Sequence, residues 1–445
     1  MSALLGALVL MPAASNAGSS PGSLGRVAPA SLFVAPTGAD TNRCTKAAPC
    51  STFDRAYRAA KPGDVVEVAA GDYPNQVITA VAGRVGPNVL FRPATDARVV
   101  LAGLEFGREQ NPAFGPGFVT VRDMTLVNKK VGPAPQNQAG IFIGPGSRYI
   151  TLENMDAGSV QTWFADRVTI RGGDYGPCYA ISGDSNVCGN TKFDVSTNIT
   201  VEGALFHDYR FDNTCFADGA DCHWECMYLN GGINITIRNS RFRDCAVFDL
   251  FVTISGPDAA NLGHRNLTIE NNWFDTPWAE STSGGSRSMP YGVSLAWCQN
   301  SPHGYRNVRI RFNSFQRSAT LQHDPNPNCI FENVSIVGNL MMWTGCDARY
   351  TYSHNVWSTS WRRGKCSPSD RIGASTFPYA NTESGQGFNF RLTNKRKTLA
   401  DNLVPRSVSG GCPRIDFDRQ RRPLNKRCDA GADERLWPRP TARRR

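Results

Sequence analysis

Apolar and polar positions alternate along most of the chain, and the alternation comes in a recurring unit. Each unit sets a polar or aromatic residue before an apolar–Thr/Arg/Ser–apolar strand. A polar turn follows, often holding Asn or Gly, and then an aromatic or apolar residue. The unit occurs at Phe118–Leu126, Tyr149–Met155, Arg167–Gly173, Asn198–Phe206, Asn234–Phe242, Asn266–Phe274, Asn307–Phe315, Asn333–Met341 and, more weakly, Tyr350–Val356. A period of two makes each unit a strand with one buried face. The first strand residues fall at 119, 150, 168, 199, 235, 267, 308, 334 and 351, so the intervals run from 17 to 41 residues. That spread is too wide for a rigid hairpin array and suits stacked coils with inserted loops. Shorter strands precede several units, at Gly140–Ile143, Cys226–Leu229, Asp249–Val252 and Gly292–Leu295. Two or three strands per coil predict an all-β chain, a right-handed parallel β-helix of about nine or more coils.

The repeat also explains a set of glycosylation sequons. Asn198, Asn234, Asn266 and Asn333 each begin one, yet all four sit at the same point of the coil, and Asn307 holds that point without a sequon. The shared requirement is a turn residue leading into a strand.

Composition narrows the class. Hydrophobic residues make up 40% of the 445 and charged residues only 19%, enough apolar material for a large core. No later stretch matches the apolar first twenty residues, so membrane spans, coiled coils and collagens are excluded for the body of the chain. The net charge of +10 is unevenly placed. Residues 361–445 hold 20 Lys+Arg against 8 Asp+Glu, leaving 28 against 30 for the rest. A basic end of this kind suits an acidic glycan, an anionic surface or a solubilising tail, and no nucleic-acid module accompanies it. The apolar start followed by Ser15-Asn16-Ala17 reads as a signal peptide over 1–17. Its lack of Lys or Arg points to a start codon placed too far downstream. A flexible leader over 18–30, a single domain over 31–434 and a basic tail over 435–445 complete the expected layout.

Three segments carry a resemblance to a known group. Leu32–Asp40, Pro49–Ala56 and Pro62–Tyr73 resemble the opening of secreted proteins in the pectate-lyase-like β-helix superfamily. The resemblance implies a first strand, a capping helix and a strand ending in Gly-x-Tyr. Phe53, Ala56, Tyr57 and Ala60 have helical spacing within 51–60, as such a cap needs. Near the other end, Asp416–Pro423 and Asp429–Glu434 are similar to the superfamily's closing motif. Covering about residues 32–434, the likeness implies a fold and not a chemistry, because the superfamily spans lyases, hydrolases, epimerases, adhesins and tailspikes. The Asn-Thr-Asp, Asp-Asp and Gly-His-Gly motifs of its pectinase-like hydrolases are absent, as is the Arg-x-Pro-x-x-Arg signature of pectate lyases.

Fourteen cysteines in a chain with an export signal point to disulfides. Proximity pairs Cys44 with Cys50, Cys178 with Cys188, Cys298 with Cys329, Cys346 with Cys366 and Cys412 with Cys428. Cys215, Cys222, Cys226 and Cys245 form a remaining cluster, read as Cys226–Cys245 and Cys215–Cys222. The competing four-thiolate zinc site has spacings that fit no familiar module.

The densest set of ionisable residues follows Phe206. Candidate catalytic groups there are Asp208, Arg210, His223 and Glu225, joined by Asp249 one coil later. The strand alternation predicts an outward, exposed Asp249 between aromatic neighbours. Sugar cleavage needs a proton donor and a carboxylate, or a base with a cation that neutralises a uronate. Asp218 and Asp221 are candidate ligands for Ca²⁺, the one cofactor suggested. Tyr228, Phe251, Trp224 and Trp278 are candidate sugar contacts, with Trp163 and Trp297 nearby. The sequence thus predicts a secreted, monomeric protein that binds and cleaves an acidic extracellular polysaccharide, as a lyase or glycoside hydrolase. The alternative is a surface adhesin that binds without cleaving.

Overall fold

The computed structural model describes residues 28–107, 113, 115–127, 140–180, 189–211, 225–245, 248–275, 291–298, 301–315, 319–342, 345–358, 365–373, 379–381, 389–392, 398–423 and 426–435. Among them, one sheet gathers 22 strands and another 13, with parallel pairing throughout both. Traced from coil to coil, the strands form three stacks. The first runs from Leu32–Val34 through Gly117–Arg122 and His264–Glu270 to Tyr350–Ser353. The second runs from Gln76–Ile78 through Ile141–Ile143 and Phe248–Ile254 to Ala319–His323. The third runs from Gly71–Tyr73 through Leu205–Phe211 and Trp273–Asp275 to Arg371–Gly373. The strand Met227–Arg238 bends from the second stack into the first, pairing with Leu250–Thr253 at one end and His264–Glu270 at the other.

The repeat sets this register. Ile150 lies opposite Val119 on one side and Val168 on the other, and Ile235 lies opposite Leu267. Phe118, Tyr149, Arg167, Asn198, Asn234, Asn266, Asn307 and Asn333, just before these positions, all have φ between 53° and 60°. Asn tolerates that region better than most residues. The five Asn amides also bond to one another from coil to coil, at 2.8, 2.8, 3.1 and 3.2 Å. The last unit departs from expectation by one residue: Tyr350, not Thr351, lies opposite Val334. No positive-φ residue precedes it, so its strand begins earlier.

Inside the coil, third-stack side chains form an aromatic column. Tyr175, Phe206, Phe242, Phe274 and Phe315 stack in turn with centroids 4.7–5.3 Å apart. At the buried corner between the first and third stacks, the Oδ1 atoms of Asn313, Asn339 and Asn355 accept from the backbone N–H of Asn272, Asn313 and Asn339, at 2.9–3.0 Å. Outside, opposite charges alternate along the ends of the first-stack strands. Arg122, Glu153, Arg171, Glu202, Arg238, Glu270 and Arg311 follow one another, with ion pairs such as Arg171–Glu153 at 2.7 Å and Arg311–Glu270 at 2.7 Å.

The helix Phe53–Ala59 begins where Thr52 accepts from the Arg55 N–H. It buries Phe53, Ala56 and Tyr57, with Phe53 stacked on Phe91 at 4.9 Å. Late in the chain, Phe417 stacks on Trp273 at 3.9 Å, and buried Asp416 and Asp429 accept backbone N–H bonds. Arg435, which the sequence reading assigns to the tail, is packed against Asp401 at 2.8 Å. Cys44–Cys50, Cys226–Cys245, Cys298–Cys329, Cys346–Cys366 and Cys412–Cys428 are bonded, with Cα atoms 4.6–6.4 Å apart. Cys178 is also in a disulfide, whereas Cys188, Cys215 and Cys222 lie outside the described residues. Among those residues no helix is long and apolar enough to cross a membrane.

Candidate functional site

The outer face of the second stack presents two rows of side chains along the coil axis. Gln161, Lys192, Tyr228, Phe251 and Ser294 stand rung beside rung in one; Trp163, Asp194, Asn230 and Thr253 form the next. They face outward because the residues between them, Phe193, Leu229 and Val252 among them, fill the core. Lys192 Nζ lies 2.8 Å from Asp194 Oδ2 and 5.2 Å from the centre of the Tyr228 ring. Asn230 donates to Asp194 Oδ1 at 2.9 Å, and Thr253 Oγ1 is 2.9 Å from the Tyr228 hydroxyl. Burial pushes the Tyr228 phenol up to about 12, despite the hydrogen bond with Thr253. Tyr228 is therefore a neutral hydroxyl at ordinary pH, able to donate or accept.

Aromatic rings bound both ends of this polar strip. Trp297 is 44% exposed and meets Phe251 edge-on at 5.6 Å; Phe164 is 39% exposed and meets Trp163 at 5.5 Å. About four rungs separate the two ends, roughly 20 Å along the axis. An exposed ring offers a stacking face, and between the ends Lys192 and Tyr228 are part-exposed polar groups, with Asp194 and Asn230 largely covered and Thr253 buried.

The residues singled out from sequence fall in three places. Asp208 lies on the third stack, at φ 55°, beside His207 at 2.5 Å and Arg243 at 3.0 Å. His207 Nε2 reaches Asp174 at 2.7 Å. Burial opposes charge on both Asp208 and His207, but their mutual hydrogen bond and ionic neighbours prevail. The Asp208 carboxyl is held down to about 2 and the His207 imidazole is raised to about 9. The pair is a salt-bridge network, poorly suited to exchanging protons near neutrality. Glu225 and Asp249 lie by the turn into the second stack, which Cys226–Cys245 clamps. Glu225 is fully buried and accepts from Asn190 at 2.8 Å.

Asp249 is corrected by the structure. The predicted register holds, with Tyr228 opposite Phe251 and Leu229 opposite Val252. Its expected exposure does not: Asp249 is 0% exposed, and Phe251 only 2%. All seven residues of Phe248–Ile254 are buried. Rings pack over this stretch of strand, Phe248 on Phe251 at 4.6 Å and on Tyr291 at 6.1 Å. A side chain turned away from the core therefore still lies under a second layer. His223, Trp224, Trp278, Asp218 and Asp221 lie outside the described residues, and only the backbone of Arg210 is described. No group of three potential metal ligands occurs among the described residues.

Lys192, Asp194, Asn230 and Thr253 escape a search for dense ionisable clusters, because they are spread over three coils, Lys192 and Asp194 on one, Asn230 and Thr253 on the next two. Their signal is positional: polar side chains at the outward steps of short strands that align rung by rung.

Neither a family model nor a curated protein sequence matches this chain. Solved structures do match. Pectate lyase Pel9A superposes with a TM-score of 0.50 at 15% identity, over 91% of this chain and 96% of its own. XylC, solved in complex with xylose, gives 0.51 at 8% identity, over 91% and 98%. PfbA, a surface adhesin of Streptococcus pneumoniae, gives 0.45 at 12% identity, over 71% and 77%. The chain is a parallel β-helix. At such identities the likeness is one of fold, and any activity has to be argued from this β-helix's own residues.

Proposed function

We propose that this β-helix is a secreted carbohydrate-active protein. It binds an extended, acidic polysaccharide along the outer face of its second stack and cleaves it, as a lyase or glycoside hydrolase. One observation carries the reading: the strip Lys192–Asp194–Tyr228–Asn230 lies between exposed aromatic ends on a regular parallel sheet. Lys192 favours an acidic chain, since a substrate carboxylate can take the place of Asp194 at its ammonium. The disulfides support an oxidising, extracellular setting. The same reading includes the right-handed sense, about nine or more coils, and the helix Phe53–Ala59 as the N-terminal cap of a domain over 31–434.

A second reading, an adhesin that binds without cleaving, is favoured by the complete burial of Glu225 and Asp249. The two are separated by incubating the purified protein with a polysaccharide panel. Ultraviolet absorbance reports unsaturated products, reducing ends report hydrolysis, and calorimetry reports binding. Product in either assay supports cleavage; binding that needs Lys192 and Tyr228 but yields no product supports the adhesin. Absence of binding to every polysaccharide overturns both.

A further inference from the structure

A cleft of about 670 Å³ opens at the corner between the first and third stacks, away from the face just described. Its floor lies in the middle coils, where the turn residues are Gly172 and Gly203, at φ 62° and 71°, with no side chain to occupy the space. Its wall is the late segment carrying Phe417, Asp418 and Arg419. That segment is held beside the coils by Asn239, which donates to the Asp416 carbonyl at 2.6 Å, and by Asn271, which donates to that of Ile415 at 2.8 Å.

Charge in the cleft is unbalanced. Arg241, Arg391 and Arg419 line it against one carboxylate, Asp418. Arg391 is already paired with Asp418. Arg241 makes no ion pair among the described residues; its guanidinium lies 4.8 Å from the Trp273 ring and 5.2 Å from that of Phe417. Arg419 has no ion pair there either. Burial, and then the nearby charge of Arg391, lower the Arg241 pKa against the opposing pull of Asp418.

We propose that this cleft is a second binding site, for an acidic saccharide whose carboxylate or sulfate is held by Arg241 and Arg419. Forked guanidiniums match the planar geometry of such oxyanions, and aromatic stacking holds Arg241 in place to receive one. The volume lies in the range of pockets for organic ligands and exceeds what a bare ion needs. Phe417 supplies an apolar wall beside the charges. The saccharide part of the proposal rests on the glycan reading above; the anionic part rests on the arginines alone.

Calorimetry on the full chain tests it, with trigalacturonate, its methyl ester and inorganic sulfate as probes. Trigalacturonate is expected to bind at two sites. Arg419→Ala, at an exposed position, and Arg241→Met, which keeps an unbranched stem and removes the guanidinium over Trp273, each weaken one site by about tenfold or more. Lys192→Ala weakens only the other. Asp418→Asn releases Arg391 and tightens the corner site, while the methyl ester loses it. The proposal is overturned if Arg419→Ala and Arg241→Met leave trigalacturonate binding unchanged, or if acid and ester bind alike. Sulfate binding as tightly as the trisaccharide removes the saccharide and leaves a bare anion site. Binding that depends on Arg419 but not on Lys192 sinks the second-stack reading and leaves this one standing; the reverse pattern sinks this one alone.

Discussion

At the corner between the first and third stacks, Asn272, Asn313, Asn339 and Asn355 repeat one contact from coil to coil. At the corner between the third and second stacks, Asp208, Glu225, Asp249 and the Cys226–Cys245 bridge each occur once. In the first corner every residue finds its partner in the next coil, so the amides are there for the stack itself. In the second, each polar group needs its own local solution: Asn190 for Glu225, Arg243 and His207 for Asp208. Repetition marks structure, and departure from repetition marks where a surface has been shaped.

The largest effect that can break this contrast comes from Asn313. Its Oδ1 accepts from both the backbone and side chain of Asn272, and its Nδ2 donates to the Ile269 carbonyl at 2.9 Å. Asn313→Ala strands these buried groups and is expected to cost about 3 kcal/mol or more in urea unfolding. A loss under about 1 kcal/mol would mean that packing, not the amide ladder, holds the corner.

Asp249→Asn comes next. For a carboxylate sealed at 0% exposure, an expected loss of about 1–3 kcal/mol replaces the near-neutral change that an outward position implies. If the variant folds and any cleavage activity drops by about a hundredfold, Asp249 also acts in catalysis. Activity unchanged in a destabilised protein assigns it to structure.

A smaller effect separates the exposed amide ladder from the turn it decorates. Asn266→Ala, at φ 59°, should cost about 1 kcal/mol, and Asn266→Gly appreciably less. Equal losses would show that the bonds to Asn234 and Asn307 matter more than the backbone.

The finest test is a pH profile of melting temperature. His207 titrates near 9 in the fold against 6.5 ordinarily, so its contribution is complete below 6.5 and is lost as pH rises through 9. Asp208, lowered to about 2, contributes above 3.8, and that contribution is lost as pH falls through 2. Asp433 runs the other way: burial raises it to about 7, so the fold weakens as pH climbs from 3.8 through 7. His207→Gln should flatten the alkaline limb, and Asp433→Asn should flatten the slope between 3.8 and 7. Profiles identical to the native one would remove both groups from the pH response.

The first stack was legible in the sequence because its alternation is local and its turn residues recur, from Phe118 to Asn333. Only Tyr350 slipped, where the positive-φ signal is missing. The pairing of the Asp249 strand, with Tyr228 opposite Phe251, was legible too, but the burial of Asp249 was not. Period-two reasoning separates core from non-core and says nothing of the rings that fold over the strand, Phe248 from its own first position and Tyr291 from the next coil. Lys192, Asp194 and Asn230 were hidden for a related reason. Lys192 meets Tyr228, and Asp194 meets Asn230, only after strands 36 residues apart are laid side by side.

The alternating column from Arg122 to Arg311 imposes a parity rule on the lineage of this molecule. Removing or duplicating one coil within it would set Arg against Arg or Glu against Glu on adjacent rungs, where like charges repel. Removing or duplicating two coils restores the alternation. Along this edge the rod can lengthen or shorten cheaply only in even steps, and a strand mispaired by one coil during folding meets the same repulsion.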